Sequence, residues 1–269
     1  MKTKDYLWLG LLAVLAVGIW QRNTSWRGEI SDVVPLLAAL PLFVWLGAPW
    51  RFSEAGFRLS QPALALGVGL FLAGTILNLT VLLAGAWTAA LWSWLRMRLA
   101  PETLTPMRSL LVFPLLAFPW LNLDVPDLGW FFRLSAGWTA EHLFQALGLA
   151  VQREGTMLFV QHQPFDVSPA CSGLRTLQAM LVAGAVLCYL ELGQKRVFWL
   201  GVACLPLVAW MANTLRVLAL MVAALSLGVD FASGWFHDWG GWLVIFAMFG
   251  LTWGAFQVGR RIMAGRTST

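Results

Sequence analysis

Long apolar runs separated by short polar segments set the pattern of this chain. Tyr6–Trp20 is the first run, behind Lys2 and Lys4. A polar loop, Gln21–Asp32, leads to a second run, Val33–Trp50. Ala63–Leu95 is nearly free of charge, too long for one ordinary span and tight for two, with Asn78-Leu79-Thr80 near its centre as a candidate turn. A basic loop carrying Arg96, Arg98 and Arg108 leads to Ser109–Leu123, which contains Pro114 and Pro119. Leu128–Ala150 mixes Arg133, Glu141, His142 and Gln145 with leucine and aromatic residues, which predicts an amphipathic helix lying in the membrane interface. Val151–Pro169 is the longest polar stretch and predicts a short hairpin. Cys171–Leu192, Val197–Leu215 (closed by Arg216, with an apolar run continuing to Gly228) and Trp239–Val258 read as further spans, with Val229–Asp238 as a short loop before the last.

The pattern predicts an all-α fold: a polytopic transmembrane helical bundle of about eight spans, with an interfacial amphipathic helix and a small outer hairpin loop. The chain reads as a single integral membrane domain, 1–269. N-terminal spans run to 127, the interfacial helix and outer loop occupy 128–170, and the spans carrying the candidate chemistry occupy 171–269.

Composition agrees with this reading. Hydrophobic residues make up 59% of the chain and charged residues 12%, with a mean hydropathy of +0.72. Soluble domains carry roughly twice that charge fraction. The net charge of +5 therefore points to loop charges that orient spans, not to nucleic acid. With the N-terminus inside and Ala63–Leu95 folded as a hairpin, most basic residues fall on the inner side. Met1–Trp20 has no convincing small-residue cleavage site and reads as a retained first span. Three cysteines are present; Cys188 and Cys204 lie within apolar runs and read as packing residues. No cysteine or histidine spacing suggests a zinc site or a disulfide framework, so no metal or cofactor is expected.

The densest chemistry lies in Ser168-Pro169-Ala170-Cys171-Ser172-Gly173-Leu174-Arg175-Thr176, where polar loop meets apolar run. Ser168 before Pro169 predicts a helix start, which would put Cys171 in the first turn. Unpaired N–H groups and the helix dipole there favour a thiolate. Arg175, four residues on, would share the helix face of Cys171 and favour it further. One bilayer thickness after the inner turn at Lys195-Arg196, the chain reaches Asn213-Thr214-Leu215-Arg216 on the same outer side. An arginine within an apolar run is costly and marks a functional site. His237 follows on that side, next to Asp238, with His142 and His162 as alternatives. Cysteine, histidine and arginine together make a complete acyl-transfer set: nucleophile, proton shuttle and oxyanion partner.

Pro169–Leu177, Asn213–Arg216, His237-Asp238-Trp239-Gly240-Gly241-Trp242 and the approach Leu147–Gly155 together resemble the exosortase/archaeosortase family. The resemblance covers about Ser135 to Phe246. It is looser over Trp26–Pro35, where Asp32 stands in place of a histidine. It implies a membrane-embedded cysteine transpeptidase or protease, with Cys171, Arg216 and His237 catalytic. Ser172, Arg175, Asn213 and Asp238 would support them or bind substrate. It implies membrane-anchored protein substrates with a C-terminal sorting signal: a short motif such as PEP, a transmembrane helix and a basic cluster. It further implies transfer to a surface anchor or polymer, often beside exopolysaccharide production, at the outer face of a bacterial inner membrane. Two other readings stay open, a transporter-like binder using Arg216 and a non-catalytic assembly factor of an exopolysaccharide system.

Overall fold

The structure, a computed structural model, describes residues 3–25, 27, 30–53, 61–160, 163–167, 172–193, 197–228, 231–232 and 234–266. Eleven helices and three short strands are described: α1 (Thr3–Gln21), α2 (Ile30–Leu46), α3 (Gln61–Ile76), α4 (Thr80–Arg98), α5 (Pro101–Leu110), α6 (Val112–Leu116), α7 (Trp120–Asp124), α8 (Asp127–Ala146), β1 (Val151–Glu154), β2 (Met157–Val160), β3 (Gln163–Asp166), α9 (Leu174–Leu192), α10 (Val197–Leu227) and α11 (Trp235–Arg266). They divide into two compact units. One comprises Met1–Pro126 with Leu181–Val202, the other Asp127–Met180 with Ala203–Thr269, so α9 and α10 each contribute to both.

In the first unit the nearly charge-free stretch is a helical hairpin. It turns at Leu77–Leu79, where Asn78 takes a positive φ of 59°, a conformation Asn tolerates. Arg22 donates to the Asn78 side chain, and its other nitrogen lies 3.5 Å from the Gly74 carbonyl. Asp124 closes the start of α4, accepting from the N–H groups of Thr80 (2.9 Å) and Val81 (2.6 Å). A carboxylate from another helix thus serves as the N-terminal cap that Leu79 lacks.

The span expected over Ser109–Leu123 is instead broken into α5, α6 and α7. Pro114 and Pro119 carry no N–H to continue an α-helical ladder. Indoles take up carbonyls around the breaks: Trp120 Nε1 donates to Leu115 at 3.0 Å, and Trp20 Nε1 to Ala117 at 3.0 Å. At the other end of α4, Arg98 Nε donates to Asp5 at 2.6 Å, with both residues more than nine-tenths buried.

In the second unit the polar stretch is a three-stranded antiparallel sheet in the order β1-β2-β3, one strand more than the expected hairpin. Glu154 pairs with Met157 across a two-residue turn at Gly155 (φ +63°), and Met157 pairs with Asp166. The sheet packs on α8 and on the distal half of α10 through Ala136, Ala140, Phe144, Val151, Leu158, Val160, Val217 and Met221. Small residues on α8 allow this close approach, while Trp130, Phe131 and Trp138 stand exposed on the helix. Its charged Glu141 meets Arg153 of β1 at 2.9 Å.

Two expected boundaries are corrected. Arg216 does not end its helix: α10 continues through it to Leu227 and stops only before Gly228 (φ +95°). At 1.5 Å per residue α10 is about 46 Å long, well beyond a hydrocarbon core of about 30 Å. The last helix opens at Trp235, so the backbone of His237 and Asp238 belongs to its first turn and not to a loop.

Among the described residues, Leu174–Leu192 and Val197–Leu227 are long and apolar enough to cross a membrane. Shorter apolar helical segments lie at Asp5–Gln21, Val33–Leu46, Gln61–Ile76 and Phe246–Val258. Large apolar side chains such as Leu7, Val14, Phe71, Leu72 and Ile76 project outward, as on lipid-facing helices.

The Asp5–Arg98 pair yields a stability prediction. Asp5→Ala leaves the buried guanidinium without its carboxylate, a loss of about 3–5 kcal/mol for a buried pair. Its thermal midpoint in detergent is expected to fall clearly. Asp5→Ala combined with Arg98→Met removes the stranded charge and is expected to recover most of the fall.

Candidate active site

The site is built where the start of α9 meets α8 and α10. Gly173 has φ +76°, outside the helical region, and its carbonyl accepts from Leu177 N–H at 2.7 Å. Gly173 is therefore the residue from which α9 springs at Leu174, and the expected helix start at Ser168–Pro169 falls on residues outside those described. Ser168, Pro169 and Cys171 themselves lie outside the described residues, as does His162.

Two constraints make residue 173 a glycine. The left-handed φ disfavours a side chain. A Cβ there would also stand 2.6 Å from Phe132 Cδ2 and 2.8 Å from Asn213 Cγ. That second contact brings the Ser172–Thr176 block against the Asn213–Arg216 block, 40 residues apart in sequence. Asn213 is 1% exposed. Arg216 follows one helical turn later on the same side of α10, half-buried, with its Nε shielded from solvent. Arg175 is half-buried in the first turn of α9.

α8 is tied to the same place. A Cβ at Gly129 would lie 3.0 Å from Ser172 Cβ and 3.1 Å from Leu174 Cδ1. Trp210 Nε1, one turn before Asn213, donates to Ser135 Oγ at 2.8 Å, and Ser135 donates to the Phe132 carbonyl at 3.1 Å. Arg133 Nε donates to the Val167 carbonyl.

Ser172, Arg175, Asn213 and Arg216 thus come from the expected set into one neighbourhood or its adjoining turns. His237 and Asp238 have described backbone in α11, but their side chains lie outside the described residues. His142 is exposed, stacked on Trp138 at a centroid distance of 4.3 Å, with Nδ1 2.9 Å from the Trp138 carbonyl. Nine residues separate it from Arg133, which places the two on opposite faces of α8. His142 therefore faces away from the segment that Arg133 holds.

Gly129, Phe132 and Arg133 were not singled out as site residues from sequence. Their signal was present as a glycine, an aromatic residue and a charge within one turn of α8. Among the described residues no group of three or more His, Cys, Asp or Glu side chains could hold a metal ion.

Gly173→Ala tests the seat directly. It is expected to lower the thermal midpoint, because left-handed backbone alone costs an alanine about 1–2 kcal/mol and the contacts with Phe132 and Asn213 add to that. Gly173→Ala with Asn213→Ala is expected to recover only part of the fall, since the φ and the Phe132 contact persist.

The chain matches the transmembrane exosortase family over residues 2–254 of its 269. No curated protein and no solved structure matches it. The match spans the helical hairpin, the three-stranded sheet and all three candidate blocks, and agrees with the apolar, outward-facing helices of a membrane protein. The chain belongs to the transmembrane exosortase family.

Proposed function

We propose that this protein is a cysteine transpeptidase or protease of a bacterial inner membrane. It cleaves membrane-anchored proteins at a C-terminal sorting signal and transfers the new C-terminus to a surface anchor or polymer. The observation that carries the reading is the seating of Gly173 against Asn213, which joins two distant blocks of the family pattern in a chain matched almost end to end. The bundle is a single membrane domain of about eight spans, with the reaction at the outer face.

In this reading the Cys171 thiolate attacks the scissile carbonyl. A C–S bond forms as the carbonyl oxygen takes negative charge, and Arg216 stabilises that oxyanion. The C–N bond then breaks, and the leaving amine takes a proton from His237. The incoming water or amine gives its proton to His237 and attacks the thioester, and the thiolate leaves. Ser172, Arg175, Asn213 and Asp238 support these groups or contact substrate. A substrate carrying its own transmembrane helix meets the enzyme within the bilayer, which raises its effective concentration.

Co-expression with a reporter ending in a Pro-Glu-Pro motif, a transmembrane helix and an arginine-rich tail tests the proposal. Processing, read as a mass shift, is expected with the wild type and not with Cys171→Ala at equal folded yield. Undiminished processing by Cys171→Ala would favour the non-catalytic assembly reading. Alkylation followed by mass spectrometry gives a second check. Cys171 is expected to react faster than Cys188 and Cys204, its rate rising with pH as the thiolate forms.

A further inference from the structure

We propose that one turn of α8, Gly129 to Arg133, positions the nucleophile segment by holding both of its ends, with Arg133 as the key positioning residue. The inference rests on the reading of Cys171 as nucleophile. Residues 168–171 are bracketed in sequence by Val167 and Ser172. Arg133 Nε donates to the Val167 carbonyl, and Nη2 lies 3.2 Å from Thr156 Oγ1 and 3.5 Å from Asp166 Oδ1. Thr156 Oγ1 donates to the same Asp166 oxygen at 3.3 Å, and the Val167 N–H is bonded to the Thr156 carbonyl at 3.1 Å. Both backbone polar groups of Val167 are therefore held.

At the other end, Gly129 abuts Ser172 and Phe132 abuts Gly173. Positions 129, 132 and 133 are spaced i, i+3 and i+4, so one face of one turn meets both ends.

Docking of the sheet on α8 has other supports. Arg153 and Glu141 form an ion pair at 2.9 Å, and the apolar cluster of Ala136, Ala140, Phe144, Val151 and Leu158 lies between the two elements. Arg133 differs from these supports by reaching the residue that leads into the nucleophile segment. The planar guanidinium fork can serve a carbonyl and two side-chain oxygens together, and a lysine ammonium does not reproduce that geometry. Its side chain is 16% exposed, so these bonds are largely shielded from water.

The test uses the full-length protein in proteoliposomes with the reporter described above. Arg133→Gln and Arg133→Lys are expected to lower kcat roughly tenfold to a hundredfold with KM nearly unchanged, the effect of a nucleophile displaced by about 1 Å. Arg153→Gln, which weakens sheet docking without touching Val167, is expected to lower the thermal midpoint and leave kcat within about twofold of wild type. Gly129→Ala favours the helix yet presses on Ser172, and is expected to lower kcat without lowering the thermal midpoint. It keeps the question open to test if the Arg133 variants fail to fold. Wild-type kcat in folded Arg133→Gln or in Gly129→Ala overturns the proposal, as does an equal loss in Arg153→Gln and Arg133→Gln. Cys171→Ala is run beside them. If it stays active, the nucleophile reading itself falls; if it is dead while Arg133→Gln is fully active, only the positioning role falls.

Discussion

The seat of Gly173 between Phe132 and Asn213 is the contact on which the candidate site depends. A glycine lets α9 begin abruptly after a left-handed residue and lets two helices approach where a methyl group would collide with both. Three stretches of sequence converge there: the start of α9, the Asn213–Arg216 turn of α10 and the first turns of α8. The Trp210–Ser135 bond fixes α10 to α8 one turn away, so the approach is braced on more than one side.

A second constraint governs the rest of the chain. Polar groups away from water need partners, and a helical membrane protein must find them within itself. In the N-terminal unit that requirement is met by paired charges and borrowed donors. Asp124 caps α4, Asp5 neutralises Arg98, and Trp20 and Trp120 supply N–H groups to carbonyls near proline breaks. Trp87 does the same for Leu12 of α1, at 2.7 Å. Tryptophan suits this task because its indole adds one donor to a large apolar surface.

In the other unit the same requirement turns α8 into a scaffold. Two of its charged residues, Arg133 and Glu141, turn toward the sheet. The small residues between them let the sheet lie close. The distal half of α10 completes the support with Val217 and Met221. The length of α10 thus has a structural use, since its turns beyond Arg216 form one wall against which the sheet packs.

Much of the architecture was legible in the sequence. Several apolar runs and the Asn78 turn are local properties and appear as helices and a helix break where expected, whereas the basic segment with Arg96, Arg98 and Arg108 is largely helical. The blocks around Cys171, Arg216 and His237 were also legible, because their spacing in sequence identifies the family. Other features depended on long-range contacts. α9 springs at Leu174 from a left-handed Gly173 wedged against Phe132 and Asn213, a start that depends on residues far away in the chain. Arg216 looks like the end of a helix because a charge interrupts the apolar run, yet α10 runs on to pack against the sheet. The broken segment between Pro101 and Asp124 depends on indoles from distant positions to satisfy its carbonyls. Arg133 and Gly129 gain their significance only from what folds against them. Sequence alone determined which segments are helical, which are apolar and which family they spell. Tertiary structure decided where α9 begins, how far α10 runs and which turn of α8 meets the site, because those depend on close approach between residues far apart in the chain.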